Sequence, residues 1–290
     1  MKTLTAIAEM LTAVAGLRSL GQRIGFVPTM GALHEGHLSL VRRSNRETDV
    51  TIVSIFVNPA QFGPNEDYLK YPRDLERDSA LLLRQGADLL FVPSVEEMYP
   101  NGFQSYVSVE RVAALFEGEF RPGHFRGVAT VVLKLFNIVQ PHRAYFGQKD
   151  AQQCAVVGQM VRDLSLPLEI IVCPIVREPD GLAMSSRNAY LKPDERRAAL
   201  VLSRSLARAR QLIEAGERRA DVLTQQIRNL IEQEPKARID YIAVADADTF
   251  EPLATVAGRT VIALAVWIGG ARLLDNLIVE ETPAGLQFHA

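Results

Sequence analysis

The run of residues 50–57, Val-Thr-Ile-Val-Ser-Ile-Phe-Val, is the feature that most constrains the fold. It is rich in β-branched residues and almost continuously apolar, which predicts a strand buried on both faces. Such strands are typical of parallel sheets, because the crossover connections place helices over both faces of the sheet. The run ends in Asn58-Pro59, a loop signal. We therefore expect an α/β protein.

Strand and helix patterns alternate on both sides of this run. Residues 71–86 predict a helix with Leu75, Leu82 and Leu83 on its inner face and Gly86 as its C-cap. Residues 1–20 predict an amphipathic surface helix rather than a signal peptide. This alternation predicts a doubly wound, parallel, Rossmann-like sheet. Further strands are predicted at 24–27, 88–93, 145–146 and 168–172, and further helices at about 33–45, 128–139 and 151–164.

The sequence pattern changes after the turn residues 178–181, Glu-Pro-Asp-Gly. Two amphipathic helices, at 193–216 and 220–234, are followed by strand-like runs rather than by further alternation. Helices followed by strands predict a second, smaller α+β domain. The predicted domains are residues 1–179 and 180–290. The strand-like runs cover residues 239–245, 260–268 and 273–279.

Composition excludes several classes of protein. The 290 residues are 48% hydrophobic and carry a formal net charge of −2, so no basic field favours a nucleic-acid partner. No apolar run approaches the roughly 20 residues that a membrane-crossing helix needs. Cys154 and Cys173 form no C-x-x-C pair, which indicates a reduced compartment. We expect a soluble, cytoplasmic protein.

The turn after the first predicted α/β strand carries His34-Glu35-Gly36-His37. A helix N-terminus offers unpaired N–H groups and a partial positive charge, which suit a phosphate chain. His34 and His37 share one face of the first helical turn, and Gly36 leaves space for a ligand near the backbone. The two histidines could instead be structural or ligate a metal, although no third ligand stands at a familiar spacing.

Other polar clusters follow later strands, where ligands of parallel sheets bind. Lys149 lies two residues after Gly147 and could meet a phosphate as a point charge, or could be an ordinary solvated lysine. The hydroxyls of Ser185 and Ser186 and the guanidinium of Arg187 suit a polyphosphate. Gln61 and Gln153 carry amides that could fix a hydroxyl or a carboxylate of a substrate.

Three common motifs are absent from the sequence: the P-loop, the G-x-S-x-G elbow and a G-x-G-x-x-G turn after the first strand. Interpretations as a P-loop kinase, a serine hydrolase or a dehydrogenase thus lose their usual support. The remaining chemistry is positioning and electrostatic stabilisation of a nucleoside triphosphate, without a covalent nucleophile from the protein.

Five ordered motifs resemble one family. The H-x-G-H turn with a serine- and arginine-bearing loop is similar to the nucleotidylyltransferase and class I aminoacyl-tRNA synthetase superfamily, and the full set resembles the pantothenate synthetases within it. The likeness covers nearly the whole chain, with small departures at Ala60 and His142. The motifs are residues 28–37, residues 56–63, residues 121–128, residues 146–153 and residues 184–188.

The resemblance implies ATP-dependent ligation of pantoate to β-alanine through a pantoyl adenylate, with release of pyrophosphate and AMP. It also implies a homodimer, and a smaller C-terminal domain that closes over the ATP site. Mg²⁺ is expected to arrive with the triphosphate. No protein ligand for the metal can be named, because Asp78 is interpreted as a surface carboxylate of a helix.

The resemblance also assigns roles to individual residues. His34, His37 and Lys149 are the implied catalytic residues, with His37 as the proton donor. Gln61 and Gln153 are implied to bind pantoate, with Gln61 also near β-alanine and Asn58 a further substrate-binding candidate. Arg121, His124 and Arg126 are family-like but receive no role. ATP binding is implied for Met30, Gly31, Ala32, Leu33, His34, Glu35, Gly36, His37, Gly147, Gln148, Lys149, Asp150, Val176, Met184, Ser185, Ser186 and Arg187.

Two other functions remain open from the sequence. A nucleotidylyltransferase would release pyrophosphate but keep the adenylyl group on its product, so free AMP separates it from a ligase. A nucleotide-binding module without turnover would bind ATP and release no pyrophosphate. Retention of His37, Lys149 and Gln153 argues against the binding module.

Overall fold

The computed structural model describes residues 1–64 and 66–290. The chain divides into two compact units. Unit 1 consists of residues 1–113, 121–147 and 156–173, and unit 2 of residues 114–120, 148–155 and 174–290. The predicted domain boundary between residues 179 and 180 stays a prediction.

Every predicted helix and strand occurs in the predicted order, and further short elements occur beside them. In chain order the strands are β1 (Lys2–Leu4), β2 (Ile24–Thr29), β3 (Val50–Ile55), β4 (Leu89–Phe91), β5 (Arg143–Gly147), β6 (Glu169–Cys173), β7 (Ala237–Asp246), β8 (Arg259–Ile268), β9 (Ala271–Thr282) and β10 (Gly285–His289). The helices are α1 (Ile7–Ser19), α2 (Glu35–Glu47), α3 (Leu75–Gln85), α4 (Val95–Met98), α5 (Glu117–Phe120), α6 (His124–Val139), α7 (Ala151–Asp163), α8 (Pro193–Glu214) and α9 (Ala220–Glu232). Short 3₁₀ turns cover Pro59–Gln61, Gln148–Asp150 and Ser186–Tyr190.

The sheet of unit 1 is wholly parallel, with strand order β1-β4-β3-β2-β5-β6. The predicted Rossmann-like α/β class is thus confirmed. From β2 the chain builds outward to β3 and β4, and then returns to add β5 and β6 on the other side of β2. The order therefore reverses between β2 and β5, and ligands of such sheets bind beyond the carboxyl ends of strands at that point. Those two strands end at Thr29 and Gly147.

The apolar sequence patterns of unit 1 mostly match the observed burial of its side chains. Ile52 and Val53 of β3 are fully buried, as expected for a central strand with both faces covered. In α3 the predicted inner face was wrong for two residues, because Leu82 is fully buried while Leu75 and Leu83 are exposed. Leu75 is the first residue of α3, and Leu83 lies one residue beyond the buried face.

Unit 2 contains an antiparallel sheet with strand order β10-β9-β8-β7, against which α8 and α9 pack. Leu223, Ile227 and Ile231 recur every four residues of α9 and are fully buried against this sheet. The prediction of a second, smaller unit of the α+β class is confirmed. The edge strand β10 was not predicted, and neither was β1 in unit 1. No helix in the described ranges is both long enough and apolar enough to span a membrane.

Candidate functional site

The turn after β2 is shaped by backbone hydrogen bonds to side chains. The Thr29 hydroxyl donates to the carbonyl oxygen of Ser54 at 2.8 Å and accepts the Gly31 N–H at 3.2 Å. Gly31 and Ala32 both have positive φ angles, of 82° and 51°. A Cβ on Gly31 would also lie 3.1 Å from the Asp78 carboxylate. Glycine therefore suits this position both for its φ angle and for its size.

Asp78 of α3 stabilises this turn through a hydrogen bond from the backbone to its side chain. Its carboxylate oxygen Oδ1 accepts the Leu33 N–H at 2.9 Å, and the residue is 1% exposed. Its interpretation as a surface carboxylate was therefore wrong. Leu33 has no helical partner for its N–H just before α2 begins, and a buried N–H without a partner is costly. Arg77 donates to the Leu33 carbonyl at 3.2 Å and completes the contact.

His34 and His37 lie side by side at the start of α2, with ring centroids 4.1 Å apart. His34 is the N-cap, and its Nδ1 accepts the Gly36 N–H at 3.2 Å. The Nδ1 of His37 accepts the His34 N–H at 3.4 Å. Because each Nδ1 is an acceptor, the proton of each neutral ring resides on Nε2. The two rings can therefore offer Nε2–H donors beside a helix N-terminus, an arrangement suited to an anion.

Gln61 is linked to the turn after β2 and to Asn58. Its side-chain nitrogen donates to the Met30 sulfur at 3.2 Å, and its side-chain oxygen accepts from the Asn58 amide at 3.0 Å. Asn58 is 1% exposed and also accepts the Tyr99 hydroxyl at 2.8 Å. Burial raises the pKa of Tyr99, which keeps this hydroxyl a donor. The contacts of Asn58 thus fix the Gln61 amide.

Arg121 and His124, which the sequence left without a role, hold the backbone of Gln61. The Nδ1 of His124 donates to the Gln61 carbonyl at 2.8 Å. Arg121 contacts His124 Nε2 at 3.1 Å and forms a two-pronged ion pair with Glu66, at 2.6 and 2.8 Å. Burial opposes ionisation of Glu66, but Arg121 outweighs it and the pKa of Glu66 is lowered. Arg126 instead stacks over the Tyr106 ring at 4.0 Å.

Gly127 lets α6 approach the Gln61 segment closely. A Cβ at this position would lie 2.2 Å from the Ala60 carbonyl oxygen and 2.6 Å from the Gln61 Cα. Both are backbone atoms, so neither can move away cheaply. The Gly127 carbonyl also accepts from the Asn58 amide at 3.1 Å.

We expect Gly127→Ala to destabilise the protein by at least about 1–3 kcal/mol, the usual penalty for overpacking. Thermal unfolding measures this change. The matched control is Gly158→Ala in α7, where the added methyl group meets only the Arg162 side chain at 3.5 Å. Removing a helical glycine there should stabilise by about 0.5–1 kcal/mol. Equal unfolding temperatures for the two variants would contradict the close approach.

In unit 2 the turn after β5 carries Gln148, Lys149 and Asp150. Gln148 is 4% exposed, whereas Lys149 keeps about a fifth of its side chain exposed and pairs with Asp150 at 3.3 Å. Gln152 and Gln153 likewise differ in burial. Gln152 is buried and binds the backbone of residues 115 and 117, while Gln153 is half-buried. The sequence pair Gln-Gln therefore contains one buried structural amide and one accessible amide.

Residues 176–184 form a hairpin in unit 2. The Met184 N–H donates to the Val176 carbonyl at 2.9 Å, and the hairpin turns at Gly181, which has a φ of 93°. Ser185 caps the following 3₁₀ turn by accepting the Arg187 N–H at 3.3 Å. These contacts bring the two separate predicted segments, Val176 and 184–187, together.

Within unit 1 the structure thus brings together two predicted segments: the turn after β2, at Met30, and the segment that carries Asn58 and Gln61. Within unit 2 it joins Val176 to residues 184–187. Sequence reasoning missed Asp78, Arg121 and His124, which act on backbone atoms of the predicted residues. In the part of the chain that the structure describes, no group of three or more His, Cys, Asp or Glu residues could hold a metal ion.

Comparison with known proteins gives one consistent family. A family model described as "Pantoate-beta-alanine ligase" matches residues 2–278. A pantothenate synthetase from Caldicellulosiruptor saccharolyticus is 60% identical over 274 residues, which cover 94% of this chain and 98% of that protein.

Solved structures agree with this match. The crystal structure of a pantothenate synthetase from Thermus thermophilus matches with a TM-score of 0.91 and 50% identity, covering 96% of this chain and 99% of that one. A pantoate–β-alanine ligase from Francisella tularensis, complexed with β,γ-ATP and β-alanine, matches with a TM-score of 0.76 and 38% identity, covering 95% and 97% of the two chains.

Proposed function

The chain belongs to the pantoate–β-alanine ligase family and is a ligase, and on that premise we propose that it condenses (R)-pantoate with β-alanine through a pantoyl adenylate. ATP is consumed, and AMP and pyrophosphate are released. Adenylation is the chemical reason for using ATP. A carboxylate oxygen is a poor leaving group, and converting the carboxylate to a mixed anhydride with AMP opens the acyl carbon to attack by an amine.

In the first half-reaction a pantoate carboxylate oxygen attacks the α-phosphorus of ATP. The new P–O bond forms as the bond from the α-phosphorus to the α,β-bridging oxygen breaks, and pyrophosphate leaves. Negative charge accumulates on phosphate oxygens during this displacement, so fixed positive dipoles and cations lower the barrier.

We assign this stabilisation in unit 1 to the turn after β2. The start of α2 offers unpaired N–H groups and a partial positive charge to the triphosphate bound along residues 30–37. His34 and His37 add Nε2–H donors on the same helical turn, because backbone N–H groups occupy both Nδ1 atoms. A proton that moves to the leaving phosphate comes from Nε2 of His37.

In unit 2 we assign ATP binding to Lys149 with its neighbours Gln148 and Asp150, and to Val176 and residues 184–187; Gly147, the last residue of β5 in unit 1, is assigned to ATP as well. The Lys149 ammonium acts as a point charge on phosphate oxygens, while Arg187 offers a forked guanidinium. The hydroxyls of Ser185 and Ser186 complete the donors. No group in either set acts as a covalent nucleophile.

In the second half-reaction the amine of β-alanine attacks the acyl carbon of pantoyl adenylate. A C–N bond forms, the C–O bond to AMP breaks, and the amine loses a proton. Gln61 and Gln153 are assigned to pantoate, Gln61 also to β-alanine, and Asn58 acts on substrate through Gln61. A neutral amide is suited to this role because it can both donate to a carboxylate and accept from a hydroxyl.

Mg²⁺ is proposed to arrive with ATP, and it would neutralise part of the phosphate charge. A cytoplasmic location and a homodimer stay predictions from the sequence and the family resemblance.

The observation that best supports the proposal is the contact between Met30, in the turn after β2, and the side-chain amide of Gln61. It links a predicted phosphate-binding turn to a predicted substrate amide within one unit. The expected result is that protein incubated with ATP, Mg²⁺, pantoate and β-alanine forms AMP, and that AMP formation needs both pantoate and β-alanine.

Omitting each component in turn separates this reaction from the alternatives. Pyrophosphate without free AMP in the full mixture would indicate adenylyl transfer to an acceptor that keeps the group. Binding of ATP with no pyrophosphate under any mixture would indicate a binding module. Either outcome would overturn the proposed ligation.

A further inference from the structure

Two adjacent polar residues lie buried in the middle of β9. Asp275 and Asn276 are each 1% exposed, and their neighbours across the sheet are Leu264 and Ala263 of β8. Successive residues of a strand point to opposite faces of a sheet. The pair therefore sends one carboxylate and one amide to opposite sides of the strand. Buried polar groups at such positions need specific partners.

The Asn276 amide binds the backbone around Lys149. Its nitrogen donates to the Gln148 carbonyl at 2.9 Å and to the Lys149 carbonyl at 3.0 Å. These two carbonyls belong to the peptide planes on either side of the Lys149 Cα. Fixing both planes fixes the direction in which the Lys149 side chain leaves the backbone. The Asn276 oxygen accepts the Gln148 side-chain amide at 3.1 Å, which completes the contact.

The Asp275 carboxylate binds the hairpin of residues 176–184. It forms a two-pronged ion pair with Arg177, at 2.8 and 2.9 Å. The same guanidinium donates to the Gly181 carbonyl at 3.1 Å, across the hairpin turn. Arg177 directly follows Val176, so the ion pair anchors the hairpin beside a residue assigned to ATP.

We propose that Asp275 and Asn276 are positioning residues that set the placement of Lys149 and of the hairpin 176–184 for ATP. One strand thereby fixes two nucleotide-binding segments that lie far apart in the sequence. The inference rests on the proposed function for the identity of the ligand. Stability alone does not explain the ion pair between Asp275 and Arg177, since a buried ion pair can often be replaced by apolar side chains without loss of stability.

The first test is Asn276→Ala, measured by the ATP dependence of pyrophosphate release at saturating pantoate. A displacement of a reacting group by about 1 Å can cost about 100-fold in rate, so kcat/KM for ATP should fall by about 10- to 100-fold. The matched control is Asn229→Ala, an exposed amide of α9 that contacts Gln225 at 2.8 Å. This control should leave kcat/KM unchanged.

A double-mutant cycle separates positioning from a general effect on the fold. If Asn276 acts through Lys149, Asn276→Ala should cost little once Lys149 is already alanine. A purely structural amide would cost the same factor in both backgrounds, and that result would overturn the role proposed for Asn276.

The ion pair is tested by replacing both partners, Asp275→Leu together with Arg177→Met, so that no unpaired charge stays buried. We expect a folded variant with a KM for ATP raised by about tenfold or more, and an unchanged KM would overturn the role of Asp275. Calorimetric ATP binding by the unmodified protein and the variants gives a second readout. If ATP binds but no pantothenate forms, the ligation fails while the positioning role is still measured.

Discussion

His37→Ala is expected to slow pantoate-dependent pyrophosphate release by about 100-fold or more, a typical cost of removing one preorganised donor to a developing negative charge. The histidine is the third residue of α2, where the N–H groups of the first turn lack helical partners. Its Nδ1 accepts the His34 N–H, so its Nε2 carries the proton. The alanine variant loses this donor and keeps the helix.

Two further variants make the His37 result specific. His37→Gln retains an N–H donor on a neutral side chain and should recover part of the lost rate. His289→Ala removes an exposed histidine that lies 3.6 Å from Glu280, and it should leave the rate unchanged. Pyrophosphate release by His37→Ala at the rate of the unmodified protein would exclude this residue from the mechanism.

The sheet of unit 1 could be predicted because the residue pattern of its central strands is by itself typical of a buried strand. Continuous apolar, β-branched runs have few alternatives, and residues 50–57 gave β3 to within two residues. The edge strands β1 and β10 escaped because they are short or alternate weakly in burial. β1 spans three residues, and in β10 exposed and partly buried residues alternate without one fully buried side chain. Their identity as strands comes from their neighbours, β4 and β9.

The residues that touch ligands in our proposal were predictable by chemical type, whereas those that support them were not. Asp78, His124 and Asn276 each bind a backbone atom of a predicted residue. Almost every residue has a backbone N–H and a carbonyl. The sequence therefore does not indicate which side chain will bind a given backbone group. Only the fold identifies which carboxylate, imidazole or amide meets it.

The chain segments that make up unit 2 also could not be predicted from local sequence patterns. Residues 114–120 belong to unit 2, and among them the Glu117 carboxylate pairs with Arg272 at 2.6 and 2.8 Å. These two residues are 155 positions apart. Gln152 reinforces the contact by binding the Leu115 carbonyl at 2.7 Å and the Glu117 N–H at 3.1 Å. Residues so far apart in the sequence share no local pattern that would identify them as partners.

Lys149→Ala is expected to slow adenylation by about 100-fold, comparable to the loss of His37, because an ammonium at a phosphate stabilises charge that grows in the transition state. Lys149 retains about a fifth of its side chain exposed, and its partner Asp150 lies 3.3 Å away. Exchange of labelled pyrophosphate into ATP in the presence of pantoate measures this half-reaction alone. The exchange should fall with the same factor as the overall rate.

Lys149→Arg tests whether the charge alone suffices. The Asn276 contacts fix where the side chain leaves the backbone, so a wider, planar guanidinium cannot occupy the position of the ammonium without displacing its neighbours. We therefore expect Lys149→Arg to recover only a small part of the exchange rate. Lys236→Ala, which removes an exposed lysine paired with Asp194, should exchange at the unmodified rate. Full activity of Lys149→Ala would exclude the ammonium from adenylation, and full recovery by arginine would show that charge matters there but its exact placement does not.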